Sequence, residues 1–130
     1  MDVALFLLRF SMGVLFIAHG SQKLFGAFGG GGINAFAQML SGLGFAPAIF
    51  WAYLAGYVEL LGGLFLLAGF LTKISSALLF ILIVIATLKV HLAKGFFLSN
   101  GGFEYNFVIL CVLLAILIAG PGKFALMRRI

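Results

Sequence analysis

The chain has 130 residues, of which 65% are hydrophobic and 8% charged, and its formal net charge is +5. A soluble domain of this size cannot hide so much apolar surface, so the solvent must be lipid, and little length remains for a separate soluble catalytic domain. The basic residues are scattered without forming a stripe, which excludes a nucleic-acid surface. Cys111 is the single cysteine, which excludes an internal disulfide, a CxxC redox pair and a cysteine-rich metal site.

The first apolar stretch covers residues 3–24. It opens on Asp2, lacks a basic leader and has no small-x-small cleavage site, so it is expected to remain as a membrane helix. The glycine-rich segment 26–32 (GAFGGGG) reads as a hinge or spacer, since it lacks the Lys-Ser/Thr ending of a phosphate loop. Residues 33–45 carry Phe36, Met39, Leu40 and Leu43 at helical spacing, with Asn34, Gln38 and Ser41 on other sides. This predicts a short helix at the interface or in the bundle mouth.

The second span is expected over 47–70, with Pro47 in its first turn, Trp51 and Tyr53 as interfacial aromatics, and Gly56, Gly62, Gly63 and Gly69 thinning it for close packing. The third follows over 74–92, with Thr72 as its expected cap and Lys73 at the membrane edge. So short a connection makes spans two and three antiparallel neighbours. After a loop over 94–103, the fourth covers 104–119 and stops at Gly120-Pro121-Gly122.

The expected fold class is therefore an all-α membrane protein: one transmembrane domain over 1–130, an antiparallel four-transmembrane-helix bundle with a short extra helix between helices 1 and 2. Both termini then share a side. Lys73, Lys123, Arg128 and Arg129 on that side, against Lys23, Lys89 and Lys94 on the other, favour cytoplasmic termini in an inner membrane. The segments following His19 and His91 also echo each other faintly, as duplication or as chance.

Glu59 is the residue that points to function. It lies midway between Pro47 and Leu71 in an apolar span, where an unpaired carboxylate costs roughly 2.5 to 3.5 kcal/mol. Its helical stripe holds Ala52, Ala55, Gly62 and Gly63, so that face packs on protein. Arg9 and His19 are the two candidate neighbours. Arg9 carries the opposite charge, and its alternative is to snorkel to its own membrane edge. His19 leans toward Glu59 in an antiparallel pair. Lys23, Lys94 and His91 have bland alternatives as interface anchors or caps, and Glu104 suits the start of a helix. His19 and His91 formally allow a bis-histidine haem, an unfavoured option, and no set of zinc ligands is visible.

Leu8-Arg9, His19-Gly20-Ser21-Gln22-Lys23-Leu24, Gly56-Tyr57-Val58-Glu59 with Leu61-Gly62-Gly63, Gly69 with Thr72, His91 with Lys94-Gly95-Phe96-Phe97, and Gly101-Gly102-Phe103-Glu104-Tyr105 together resemble the DoxX family of small bacterial membrane proteins. The resemblance covers nearly the whole chain. It implies a four-helix membrane protein tied to redox work, in some members as a quinone-reducing subunit and in others beside sulfurtransferase-like partners.

On this basis the chain is expected to bind or reduce a quinone. Glu59, His19 and Arg9 would handle protons and charge, and Lys23, His91, Lys94, Glu104, Tyr105, Phe16 and Phe96 would hold the ring. No flavin or iron–sulfur motif is visible, so electrons would come from a bound substrate or a redox partner. The alternatives are a non-catalytic scaffold or assembly subunit and an oligomeric small-solute transporter.

Overall fold

The computed structural model describes residues 2–125; Arg128 and Arg129, counted above for orientation, lie outside them. The helices are α1 (Asp2–Phe25), α2 (Gly32–Gly42), α3 (Ala48–Ala68), α4 (Thr72–Ala86) and α5 (Glu104–Ala119). A 3-10 turn, Ala27–Gly29, separates α1 from α2, and α4 continues through a π-helical turn, Thr87–His91, and a 3-10 turn, Leu92–Lys94. No strand occurs among the described residues. Three segments are long and apolar enough to cross a membrane: Asp2–Phe25, Ala48–Ala68 and Thr72–Lys94. α5 is apolar but has 16 residues, roughly 24 Å against a hydrocarbon core of about 30 Å.

The outward faces are apolar along whole helices. Val3, Leu7, Phe10 and Val14 are exposed on α1, Ile74, Leu78, Ile81 and Ile85 on α4, and Phe107, Val108, Leu114 and Ile118 on α5. Water opposes so continuous an apolar exterior and lipid matches it, so the chain is a multi-pass membrane protein. Inside, Met12 and Phe16 meet Leu66, Leu79, Ile83, Ile109, Leu113 and Ile116 in one core.

The tightest seam joins α1 to α3, and glycine makes it possible. A Cβ on Gly20 would lie 2.7 Å from the Leu60 nitrogen, and one on Gly63 would lie 2.8 Å from the Ile17 nitrogen and 2.9 Å from the Gly13 oxygen. Gly56 in turn faces the end of the Leu24 side chain. Higher numbers on α1 meet lower ones on α3, so the pair is antiparallel. The pair is also staggered: α1 ends roughly two turns short of the start of α3. α2 packs on both helices and covers that gap.

The end of α3 closes as a Schellman motif. Gly69, at φ 74°, donates to the Leu66 carbonyl at 3.2 Å, and Phe70 donates to the Phe65 carbonyl at 2.9 Å. The Phe65 and Phe70 rings meet edge-on at 5.4 Å, which supplies the hydrophobic contact the motif favours. Two capping expectations need correction. Pro47 precedes the first turn of α3 as its N-cap, and Thr72 does not cap α4. Leu71 takes the N-cap position in a left-handed conformation, so Thr72 is drawn into the helix and its buried hydroxyl has no partner.

Because the Gly20 and Gly63 contacts are with backbone, Gly20→Ala or Gly63→Ala should cost about 1 to 3 kcal/mol. Gly42 faces open space, so Gly42→Ala should stay within about 0.5 kcal/mol. Reversible unfolding in mixed detergent micelles measures both; equal losses at all three positions would refute the seam.

Candidate functional site

The seam sets the positions of both cations on α1. With Gly20 against Leu60 and Leu24 against Gly56, the Lys23 side chain leans back toward the start of its helix and reaches α3 at Glu59. Lys23 Nζ donates to Glu59 Oε1 at 2.5 Å. Glu59 lies roughly 16 Å along α3 from its start. Its side chain is 3% exposed and that of Lys23 is 32% exposed. The Phe36 ring, on α2, lies 4.9 Å from the same ammonium. Lys23 is thus held between a carboxylate and an aromatic face, by charge-assisted hydrogen bonding and a cation–π contact.

Glu59 Oε2 is buried and has no hydrogen-bond partner. On α1 and α5, the His19 and Tyr105 rings lie 6.4 Å apart. The structure thus gives two polar contacts, Lys23 with Glu59 between α1 and α3, and His19 with Tyr105 between α1 and α5. A carboxylate oxygen with a free lone pair and an ammonium with protons to spare can bind a group that both accepts and donates hydrogen bonds.

Neither expected neighbour of Glu59 is its ion-pair partner. Arg9 belongs to a different site. It is fully buried and does not snorkel. Its Nη1 donates to the Leu66 carbonyl at 2.9 Å, and its Nη2 donates to the Phe124 carbonyl. The stagger of the seam carries Arg9 past Glu59 to the last turn of α3, where carbonyl oxygens with a spare lone pair and the negative end of the helix dipole attract a cation. Gly69 is constrained by the same contact: a Cβ there would lie 2.7 Å from Arg9 Nη1. Phe16 is also elsewhere than expected. It is 1% exposed in the apolar core among Met12, Leu79 and Leu113, because its stripe on α1 turns into the bundle.

The remaining candidates gather around the end of α4. His91 Nδ1 is 2.9 Å from the Gly101 carbonyl, which ties the π-helical turn to the loop that follows. That loop closes on itself: Phe103 donates to the Gly95 carbonyl at 3.0 Å and Glu104 to the Phe96 carbonyl at 2.6 Å. Phe96 packs edge-on against Phe97 and Phe103. Lys94 is exposed, its stem beside Gly101, and Glu104 opens α5. A pair absent from the expected set lies here. The buried Asn106 donates to Thr87 Oγ1 at 3.0 Å, and Thr87 donates to the Ile83 carbonyl at 2.7 Å. An amide inside an apolar span was the available signal, since such a group needs a partner in lipid.

The chain matches the DoxX family model over residues 4–92. It belongs to the DoxX family. That match includes Arg9, His19, Lys23, Glu59 and His91 and ends before the loop and α5, a shorter reach than the whole-chain resemblance suggested. A Bacillus subtilis (strain 168) protein named "Putative oxidoreductase CatD" is 29% identical over 115 residues, covering 88% of this chain and 79% of that protein. No solved structure matches the chain.

The unequal burial of the pair makes its disruption asymmetric. Lys23→Met strands a buried carboxylate and should cost about 3 kcal/mol or more. Glu59→Leu frees a third-exposed lysine to reach a polar boundary and should cost clearly less. Adding Glu59→Leu to Lys23→Met should restore most of the loss. Micelle unfolding of the two single variants and the double variant would refute the buried pair if the two single losses were equal and additive.

Proposed function

We propose that this DoxX protein is a redox-associated inner-membrane subunit that binds a quinone head at the Lys23–Glu59 pair. In this proposal it is a single transmembrane domain of four antiparallel spans, α1, α3, α4 with its continuation, and α5. Both termini face the cytoplasm. With Lys23 engaged by Glu59, Lys89 and Lys94 remain as the boundary cations on the far side, against Lys73, Lys123, Arg128 and Arg129 on the terminal side in the sequence.

The observation that carries the proposal is the orphaned Glu59 Oε2. A quinone head presents carbonyl acceptors and, once reduced, hydroxyl donors. Lys23 would donate to a carbonyl, Glu59 Oε2 would accept from a hydroxyl and hold a proton, and His19 and Tyr105 would flank the ring. Phe36 would hold the lysine in place. The π-helical turn, fastened by Asn106 and His91, would fix the wall formed by α4 and α5; such turns recur at functional sites. Reducing equivalents would come from a substrate or a partner subunit. The relationship to a named oxidoreductase supports a redox setting. The alternative scaffold role also has an observation in its favour, because the same ion pair fastens α1 to α3.

Titration of the detergent-purified protein with a short-chain ubiquinone or menaquinone analogue, followed by fluorescence quenching, tests the proposal. Saturable binding should weaken at least about tenfold in Glu59→Gln, the loss of one hydrogen bond to a charged group. Absence of binding, or equal affinity in wild type and Glu59→Gln, would leave the scaffold role.

A further inference from the structure

At the opposite end of the bundle from Phe25, the start of α1, the start of α4 and the turn after α5 enclose an open cavity of about 440 Å³. Its walls carry Asp2, Lys73 and Lys123, and its floor is the Gly120-Pro121-Gly122 turn. Two glycines keep that floor bare. Gly120 and Gly122 have φ of 84° and 79°, and a Cβ on Gly120 would approach the Lys73 stem at 3.4 Å.

Two lysines and one aspartate line the cavity, and Asp2 Oδ1 accepts the Lys123 backbone N–H at 3.1 Å. The first turn of α4, which holds Lys73, has no side-chain cap, so the positive end of its dipole adds to the two lysines. Three helix ends meet here, so the cavity lies where a spanning bundle reaches the headgroup layer of the bilayer.

We propose that this cavity binds a phosphoryl anion held by Lys73 and Lys123, supplied by the headgroup of an anionic membrane lipid. Basic pockets between spanning helices are suited to such headgroups. The site is separate from the Lys23–Glu59 pair and does not depend on the quinone proposal.

The probes are phosphatidylglycerol, phosphatidylcholine and inorganic phosphate, each titrated into the full chain in neutral detergent, with the unfolding midpoint as readout. Phosphatidylglycerol should raise the midpoint well above the effect of phosphatidylcholine. The Lys73→Gln/Lys123→Gln variant should need roughly 30-fold more of it, and the corresponding double Arg variant should behave as wild type. Both lysines are exposed, so the substitutions leave the core intact. Stabilisation by inorganic phosphate that is lost in the Gln variant would keep the anion site and make its source soluble phosphate. Lack of any anion effect, or an effect unchanged in the Gln variant, would overturn the site. Glu59→Gln should retain the lipid effect whatever it does to quinone binding, so the two proposals fail separately.

Discussion

The backbone approach of α1 and α3 is the constraint from which the other features follow. Gly13, Gly20 and Gly63 bring main chain against main chain at distances that no Cβ would tolerate. Lipid offers no hydrophobic drive to pair apolar helices, so close packing of small residues has to supply it. Once that register is fixed, each charged side chain on α1 has one possible address. Lys23 lands on a carboxylate, and Arg9 lands on the carbonyls that end α3.

The two cations of α1 are therefore accommodated in different ways. Arg9 uses its fork of donors on carbonyl oxygens of two segments and so fastens the turn after α5 to the end of α3. That arrangement holds the charge on carbonyls, without a carboxylate, although the buried Nε has no partner. Lys23 meets one oxygen of Glu59 and leaves the other unpaired. A guanidinium does not give up its proton and a carboxylate can take one, so the proposed chemistry belongs at Glu59, whose Oε2 is unpartnered. α2 makes that site an interior one, because it covers the gap where α1 stops short and places Phe36 on the ammonium.

Much of this was legible in the chain. Composition gives the lipid solvent. The apolar stretches give the three long helices and the shorter α5 to within a few residues, and glycine and proline give their ends. Glu59 stood out because a carboxylate in an apolar span demands a partner. Its partner was not legible. Depths reckoned from the ends of each span assume that α1 and α3 begin and end at the same level, and on that assumption Lys23 is a boundary anchor and Arg9 and His19 are the choices. The stagger of the pair moves Lys23 inward and carries Arg9 beyond reach. Asn106 and Thr87 were missed for a related reason: a hydroxyl and an amide on separate helices become a pair only when α4 and α5 are packed together.

The sequence by itself determined where helices form, that their exteriors face lipid, and that a buried carboxylate needs a counter-group. These are properties of local composition and of solvation, and they need no knowledge of neighbours. The tertiary structure decided which cation meets that carboxylate, which one caps a helix instead, and which oxygen stays free. Those outcomes depend on the relative shift of two helices by a turn or two, and that shift is set by the contact of glycine with backbone across the seam.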